Sequence, residues 1–297
     1  MSPEAIAFVN QALVPCGLAL IMFSMGLTLA LRDFAAILSG GRAAAAGFAT
    51  HLVVLPLLGL TVGALFGLPP ELALGLFIIS ICPAGTTSNA LTFVGRGNLA
   101  LAVVLTLMTS VVTVFTIPIL LRWAVPWFLG GTGATVPQLD IVSTMGQLAR
   151  ITLAPIALGM VVRRFAPEAA ARIAQRLRPT AFVVLVAVIG FSVVVSFDMV
   201  VQNLIAATPA IYALNIAAMA FGLMVGRVLG LNARDRMTLA IETGVQNATL
   251  ALFLTLTVLE SLPLAVTQNI YGMVMLFNAS LLIRWFRGRI TREAVAA

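Results

Sequence analysis

Cys82-Pro83-Ala84-Gly85-Thr86-Thr87-Ser88-Asn89 stands in the middle of an apolar segment, about 72–95, that is long enough to cross a membrane. Proline interrupts a helix there, and a polar run follows where hydrocarbon would be expected. A second apolar segment, about 237–259, is interrupted by Glu242-Thr243-Gly244-Val245-Gln246-Asn247. Irregular backbone at membrane depth is tolerated only where the freed groups are buried in protein or line a cavity. Paired breaks in two halves of one chain point to the binding site of a secondary carrier.

Composition sets the setting for these breaks. Of 297 residues, 61% are hydrophobic and only 9% charged, with a mean hydropathy of +1.11. Too little charge is present to cover a soluble domain of this length, so the chain reads as an all-α polytopic membrane protein whose main partner is the bilayer. The net charge of +7 comes from arginine alone, without a lysine. The arginines gather at span ends, which is an orientation signal and not a nucleic-acid surface. Cys16 and Cys82 both lie in apolar stretches and offer neither a disulfide framework nor metal-ligand spacing. No basic residue precedes the first apolar run, where Glu4 is the sole charge, so the run is expected to stay as a span.

Hydrophobic runs bounded by charge, Pro or Gly predict about nine transmembrane helices, near 6–30, 43–66, 72–95, 99–121, 143–163, 180–197, 204–226, 237–259 and 264–284. The stretch of Gly130, Gly131, Gly133 and Pro137 is the one real loop expected between them. Alternating sides puts Arg122 and Arg150 on one face and every other arginine on the opposite face, among them Arg32, Arg42, Arg96, Arg234 and Arg284. The positive-inside rule then places the N-terminus outside and the C-terminus in the cytoplasm of a cell (plasma) membrane. The broken spans run in opposite directions, each with two spans before it and one after. The chain therefore reads as a single domain, 1–297, with inverted repeats at about 6–121 and 180–284 and an additional span at 143–163.

Depth brings the polar residues to one level. At about 1.5 Å per residue, His51, Thr106, Asn278 and the two breaks all lie roughly 9–16 Å from the cytoplasmic ends of their spans. Glu242 is the only carboxylate clearly inside a span, and no lysine exists to pair with it. A bound cation or a proton is the simplest partner. Ser88, Asn89, Thr106 and Gln246, with carbonyls freed at 243–245, are hard oxygen donors suited to alkali ions. Where helix resumes near Thr86, free N–H groups and a positive dipole end would stabilise an anion. Arg150, near the start of its span, is expected to snorkel to the outer face.

These segments resemble the bile acid:sodium symporter family. The matching pieces are Met22-Phe23-Ser24-Met25-Gly26-Leu27, the Cys82–Asn89 run, the Gly95-Arg96-Gly97-Asn98 turn, and the Glu242–Asn247 run. The resemblance implies a panel domain and a core domain, with two broken helices crossing in the core. It also implies one or two sodium ions and a small organic-anion substrate such as a bile-acid-like, pantoate-like or other carboxylate. Carried over residue by residue, one sodium site falls on Ser88, Asn89, Thr106 and Glu242. A second falls on Glu242, Gln246 and the carbonyls of Thr243 and Val245. Substrate contacts fall on Thr86, Asn247 and Asn278. Bacterial members often have ten spans, so the resemblance implies that the first is missing here.

Two positions depart from the family pattern. His51 stands five residues before Pro56, where the family usually has Gln, and Ala102 stands where the first site often has Ser. A titrating His can carry a proton, so proton coupling through His51 and Glu242 stays open beside sodium coupling. An arsenite-type efflux carrier using Cys82 is a further alternative. No metal-protease helix, nucleophile elbow or pair of acids on one helix is present, so no enzyme is expected. The breaks look like a sealed site, which disfavours a channel. The substrate's identity and the oligomeric state are not encoded in these residues.

Overall fold

A computed structural model describes residues 7–30, 41–131 and 139–296, with Val9, 178–182 and 293–296 described by backbone alone. Glu4, Arg32, Gly133 and Pro137 lie outside the described residues. The helices are α1 Val14–Gly26, α2 Gly41–Leu65, α3 Pro70–Ile81, α4 Thr86–Val94, α5 Leu99–Leu129 and α6 Ile141–Phe165. They continue with α7 Pro167–Val195, α8 Phe197–Val228, α9 Ala233–Gly244, α10 Ala248–Leu252 and α11 Leu262–Ala296. Among the described residues, the single extended pairing is an isolated bridge between Ala84 and Gln246.

Among the described residues, five segments are long and apolar enough to cross a membrane by themselves: α2, α5, α6, α8 and Leu262–Arg292 of α11. Shorter apolar helices lie at Asn10–Gly26, Pro70–Ile81, Val183–Val195 and Ala248–Val258. The chain is thus an all-α, multi-pass membrane protein, and within the described residues helix covers most of each expected span, with 27–30 and the two breaks the main exceptions. Large apolar side chains such as Leu57, Phe115, Ile119, Val161 and Ile205 are exposed around the bundle, where lipid would cover them. Trp123 stacks on Trp127 with ring centroids 5.1 Å apart, near the end of α5. Aromatic pairs of this kind suit the bilayer interface.

Several helices outrun the hydrophobic pattern. α7 begins at Pro167, not near 180, because its first turns are Ala-rich and charged: good helix, but without an apolar signal. α5 continues to Leu129 through Pro118 and Pro126. Of four π-helical turns among the described residues, Val9–Leu13, Thr50–Val54 and Ala149–Leu153 end two residues before a proline (Pro15, Pro56 and Pro155), while Phe253–Val258 does not. A proline has no N–H to give the preceding turn and its ring crowds that turn's carbonyl, so the helix widens. The widening is visible in Leu55 N–H donating to Thr50 O, five residues back.

α1, α6 and α7 pack on one another. Gly26 and Gly159 make the α1–α6 contact: a Cβ on Gly159 would lie 2.6 Å from both Phe23 O and Leu27 N. Only bare backbone fits there, as in close helix pairs within membranes. The largest apolar cluster draws on Phe77 and Ile78 of α3, Ile241 of α9 and Tyr271 of α11.

The ends of α4 and α9 are tied together. Asn98 caps α5 through Leu101 N–H at 3.1 Å, while its Nδ2 donates to Asp235 Oδ1 at 2.7 Å. The Asn98 N–H donates to Thr238 Oγ1 at 2.8 Å, and Arg234 Nε donates to Arg96 O at 3.1 Å. Arg96 has a left-handed φ of 58°, which lets the Gly95–Asn98 turn reach α9.

Candidate ion and substrate site

α3 stops at Ile81 because Pro83 forces Cys82 into an extended conformation (φ −72°, ψ 152°). Helix resumes at Thr86, with Gly85 as an extended cap. α9 stops at Gly244, Val245 is extended (φ −104°, ψ 90°), and Asn247 Oδ1 caps α10 by accepting Leu250 N–H at 3.0 Å. The two extended pieces lie side by side and antiparallel. Gly85 N–H donates to Val245 O at 3.1 Å, and Asn247 N–H donates to Pro83 O at 2.9 Å. Each break therefore satisfies backbone groups that the other frees, in a place where orphaned ones would be costly. Gly85 is required by this approach: a Cβ there would sit 3.0 Å from Gln246 O.

Glu242 reaches into the crossing from the last turn of α9 and has no solvent exposure. Ser88 Oγ lies 2.5 Å from its Oε1, and Thr106 Oγ1 lies 2.9 Å from its Oε2. Ser88 Oγ is also 2.6 Å from Gly85 O, and Thr106 Oγ1 is 3.5 Å from Asn89 Oδ1. Four oxygens from α4, α5 and the first break thus gather near the two of one acid. A serine has a single proton. Ser88 has one proton for the carboxylate and the Gly85 carbonyl together, so a proton on Glu242 or a cation among these oxygens would relieve the contact.

Further polar groups lie against the backbone at 242–243. Gln246 Nε2 donates to Thr243 O at 2.7 Å, which leaves its Oε1 buried and without a partner. His51 sits in the π-helical turn of α2, 4% exposed, with its ring against the backbone carbonyl of Glu242. Its Nδ1 is 3.3 Å from Gly47 O and its Nε2 has no partner. With the hydrogen assigned to Nδ1, Nε2 presents a lone pair. Among the described residues, no group of three or more His, Cys, Asp and Glu side chains comes together; the donors here are hydroxyl, amide and carbonyl oxygens.

The sodium bile acid symporter family profile matches residues 15–203, more than half the chain. The chain belongs to the sodium bile acid symporter family. This is a family of transporters, not enzymes. One relative is the probable sodium/metabolite cotransporter BASS1 of Arabidopsis thaliana chloroplasts, 28% identical over 257 residues, covering 86% of this chain and 61% of the relative. Another is the uncharacterized sodium-dependent transporter YocS of Bacillus subtilis (strain 168), 28% identical over 271 residues, covering 87% and 80%. The human ileal sodium/bile acid cotransporter is 26% identical over 239 residues, covering 78% and 66%. The chain spans about three-fifths of the Arabidopsis relative's length.

In this family member the expected site residues come from α2, α4, α5, α9, the second break and α11. Ser88, Asn89, Thr106 and Glu242 come together. Gln246 Nε2 meets Thr243 O and His51 faces the Glu242 backbone carbonyl, while the Val245 carbonyl accepts the Gly85 N–H. Thr86 opens α4 beside the crossing. Asn247 spends its oxygen on the α10 cap and keeps Nδ2 buried and unpartnered. Asn278 Nδ2 donates to Asn215 Oδ1 at 2.8 Å, so this amide is held by α8. Asn215 and Tyr271, which sequence reasoning missed, both contact Gly244 O. A lone Asn inside the apolar run of α8 was the available signal. Cys82 is buried, as is Ala102, and Arg150 is exposed with Nε near Gly146 O at 3.3 Å.

Proposed function

We propose that the chain is a secondary carrier of the cell's inner (plasma) membrane that couples sodium influx to uptake of a small organic anion. Glu242 carries this reading: a wholly buried acid whose side-chain partners are hydroxyls, at the point where two broken helices meet. One ion would use Glu242, Ser88, Thr106 and Asn89; a second would use Gln246 Oε1, His51 and carbonyls near 243–245. These are the hard donors that favour alkali ions. The anion would take the first turn of α4 at Thr86 together with Asn247 Nδ2, where N–H groups and the helix dipole favour negative charge.

In this reading α3 with α4, and α9 with α10, each make one interrupted crossing, giving nine in all. The N-terminus lies outside and the C-terminus in the cytoplasm. Residues 6–121 and 180–284 form the inverted repeats, with the 143–163 span outside them. α1, α6 and α7 form the panel, and the other helices form the core. A cavity of only about 10 Å³ separates Met22, Leu148 and Thr152 of the panel from Pro83, Ser110 and Asn247 of the core. That is room for about one water, so substrate binding requires panel and core to part.

The test is a melting-temperature screen of purified protein against organic acids, in sodium or potassium chloride, followed by uptake of the best acid into proteoliposomes. Stabilisation by an acid only in sodium, and uptake driven by a sodium gradient, are expected. Indifference to sodium would end the reading. The Ser88 proton count favours one second reading, in which a proton occupies Glu242 when sodium does not. Uptake that persists without sodium and collapses with the proton gradient would select it.

A further inference from the structure

Gly244 ends α9, and its carbonyl has no helical partner, because Ala248 N–H turns instead to Gln246 O. This one oxygen receives two side-chain donors, Asn215 Nδ2 from α8 at 2.7 Å and Tyr271 Oη from α11 at 3.0 Å. Asn215 Nδ2 also lies 3.1 Å from Tyr271 Oη, and Asn215 Oδ1 accepts from Asn278 at 2.8 Å. Asn215 is 0% and Tyr271 1% exposed. The Tyr271 hydroxyl and the Asn215 amide both have acceptors, and the Gly244 oxygen is filled on both lone pairs.

Its position gives it a consequence for the neighbouring carbonyls. Val245 is extended, so the carbonyls of Gly244 and Val245 face opposite ways. Gly244 O is drawn toward α8 and α11, and Val245 O faces Gly85 of the first break. Thr243 O is held only by the adjacent Gln246 side chain, a partner from the same break. Gly244 has no room to move on its other side, where a Cβ would collide with Met219. One carbonyl is anchored to two helices while those before and after it are held within the crossing.

We propose that Asn215 and Tyr271, with Asn278 behind them, are positioning residues that set sodium affinity by anchoring the Gly244 carbonyl. They do not touch the ion. By fixing the peptide between Gly244 and Val245, they hold the Thr243 carbonyl and the Gln246 side chain in place for the ion. The inference rests on the sodium reading of this crossing and adds residues to it.

The experiment titrates melting temperature with sodium chloride, with potassium chloride holding ionic strength constant, for purified wild type, Tyr271→Phe, Asn215→Ala and Thr267→Val. Tyr271→Phe removes one hydroxyl and keeps the ring, so it guards against simple misfolding. Thr267→Val removes a buried Thr267–Leu72 hydrogen bond away from the crossing. A merely structural role lowers the ion-free melting temperature and leaves the sodium midpoint in place. The expected result is a sodium midpoint raised roughly three- to tenfold in Tyr271→Phe, in keeping with the loss of one hydrogen bond, and further in Asn215→Ala, with Thr267→Val unmoved. An unmoved midpoint in Tyr271→Phe and Asn215→Ala, beside a normal wild-type response, overturns the clamp alone. A wild type that sodium does not stabilise overturns the sodium reading and the clamp with it.

Discussion

At the first break covalent geometry stops the helix: Pro83 has no N–H, Cys82 is pushed extended, and Gly85 lets the chain pass within van der Waals contact of its neighbour. At the second, no proline stands between Glu242 and Asn247, and the helix ends because other groups capture its backbone. Gly244 O goes to Asn215 and Tyr271, Thr243 O to Gln246, Val245 O to Gly85, and Asn247 caps the next helix with its own side chain. One break is rigid by construction. The other is held by exchangeable hydrogen bonds and carries the acid. The ion-responsive element is therefore expected at the second break, with the first as its fixed counterpart.

The sharpest way to break this comparison is Glu242→Gln, which keeps size and hydrogen bonding but removes the charge. Sodium-driven uptake is expected to fall by two orders of magnitude or more, since a neutral amide cannot offset a cation away from water. Size-exclusion profile and melting temperature should stay near wild type. Retained sodium stimulation would move the charge-bearing role elsewhere.

Gly85→Val attacks the fixed side. The added side chain must displace Gln246 O, 3.0 Å from its first carbon, and separate the paired strands. A loss of about 1–3 kcal/mol in stability is expected from such overpacking, together with loss of uptake. A variant that melts like wild type and transports would show the pairing to be incidental.

How much of this was legible follows from what each residue does locally. The breaks were legible because proline, glycine and polar runs are foreign to a membrane span wherever they occur. Glu242 stood out because an unpaired acid in hydrocarbon is costly. That the breaks pair with each other, Ala84 opposite Gln246, was not legible, since nothing in either stretch encodes its partner. Asn215 and Tyr271 were missed for a related reason: a single amide or phenol in an apolar helix reads as ordinary helix–helix glue. Asn278 was singled out by its depth and by the family pattern, and its hydrogen bond to Asn215 is visible only in three dimensions. The early start of α7 was hidden because charged, Ala-rich helix has no apolar stripe to count.

A smaller effect is expected from Thr106→Val, which removes one oxygen from the Glu242 cluster and conserves volume. The Oγ1–Oε2 hydrogen bond of 2.9 Å is lost, and a hydrogen bond to a charged group is worth about 1.5–3 kcal/mol. The sodium midpoint should rise by roughly ten- to a hundredfold, with substrate affinity at saturating sodium little changed. Equal shifts in both would place Thr106 in packing and not in the ion site.

His51→Gln should have the mildest effect and the opposite sign. The imidazole sits in a widened turn with Nε2 unpartnered beside the Glu242 carbonyl, so its place accepts a side chain of similar length without new contacts. An imidazole nitrogen is a poor ligand for sodium, whereas an amide oxygen is a hard one. The substitution is therefore expected to lower the sodium midpoint by a few-fold, roughly one weak hydrogen bond's worth, and to steepen the sodium dependence of uptake. Because this change acts on the second break alone, it separates the two halves of the crossing. A lower midpoint means that the His51 side of Glu242 holds an ion. An unchanged one leaves His51 as packing against α9, and the Ser88–Thr106 side as the place where sodium meets the acid.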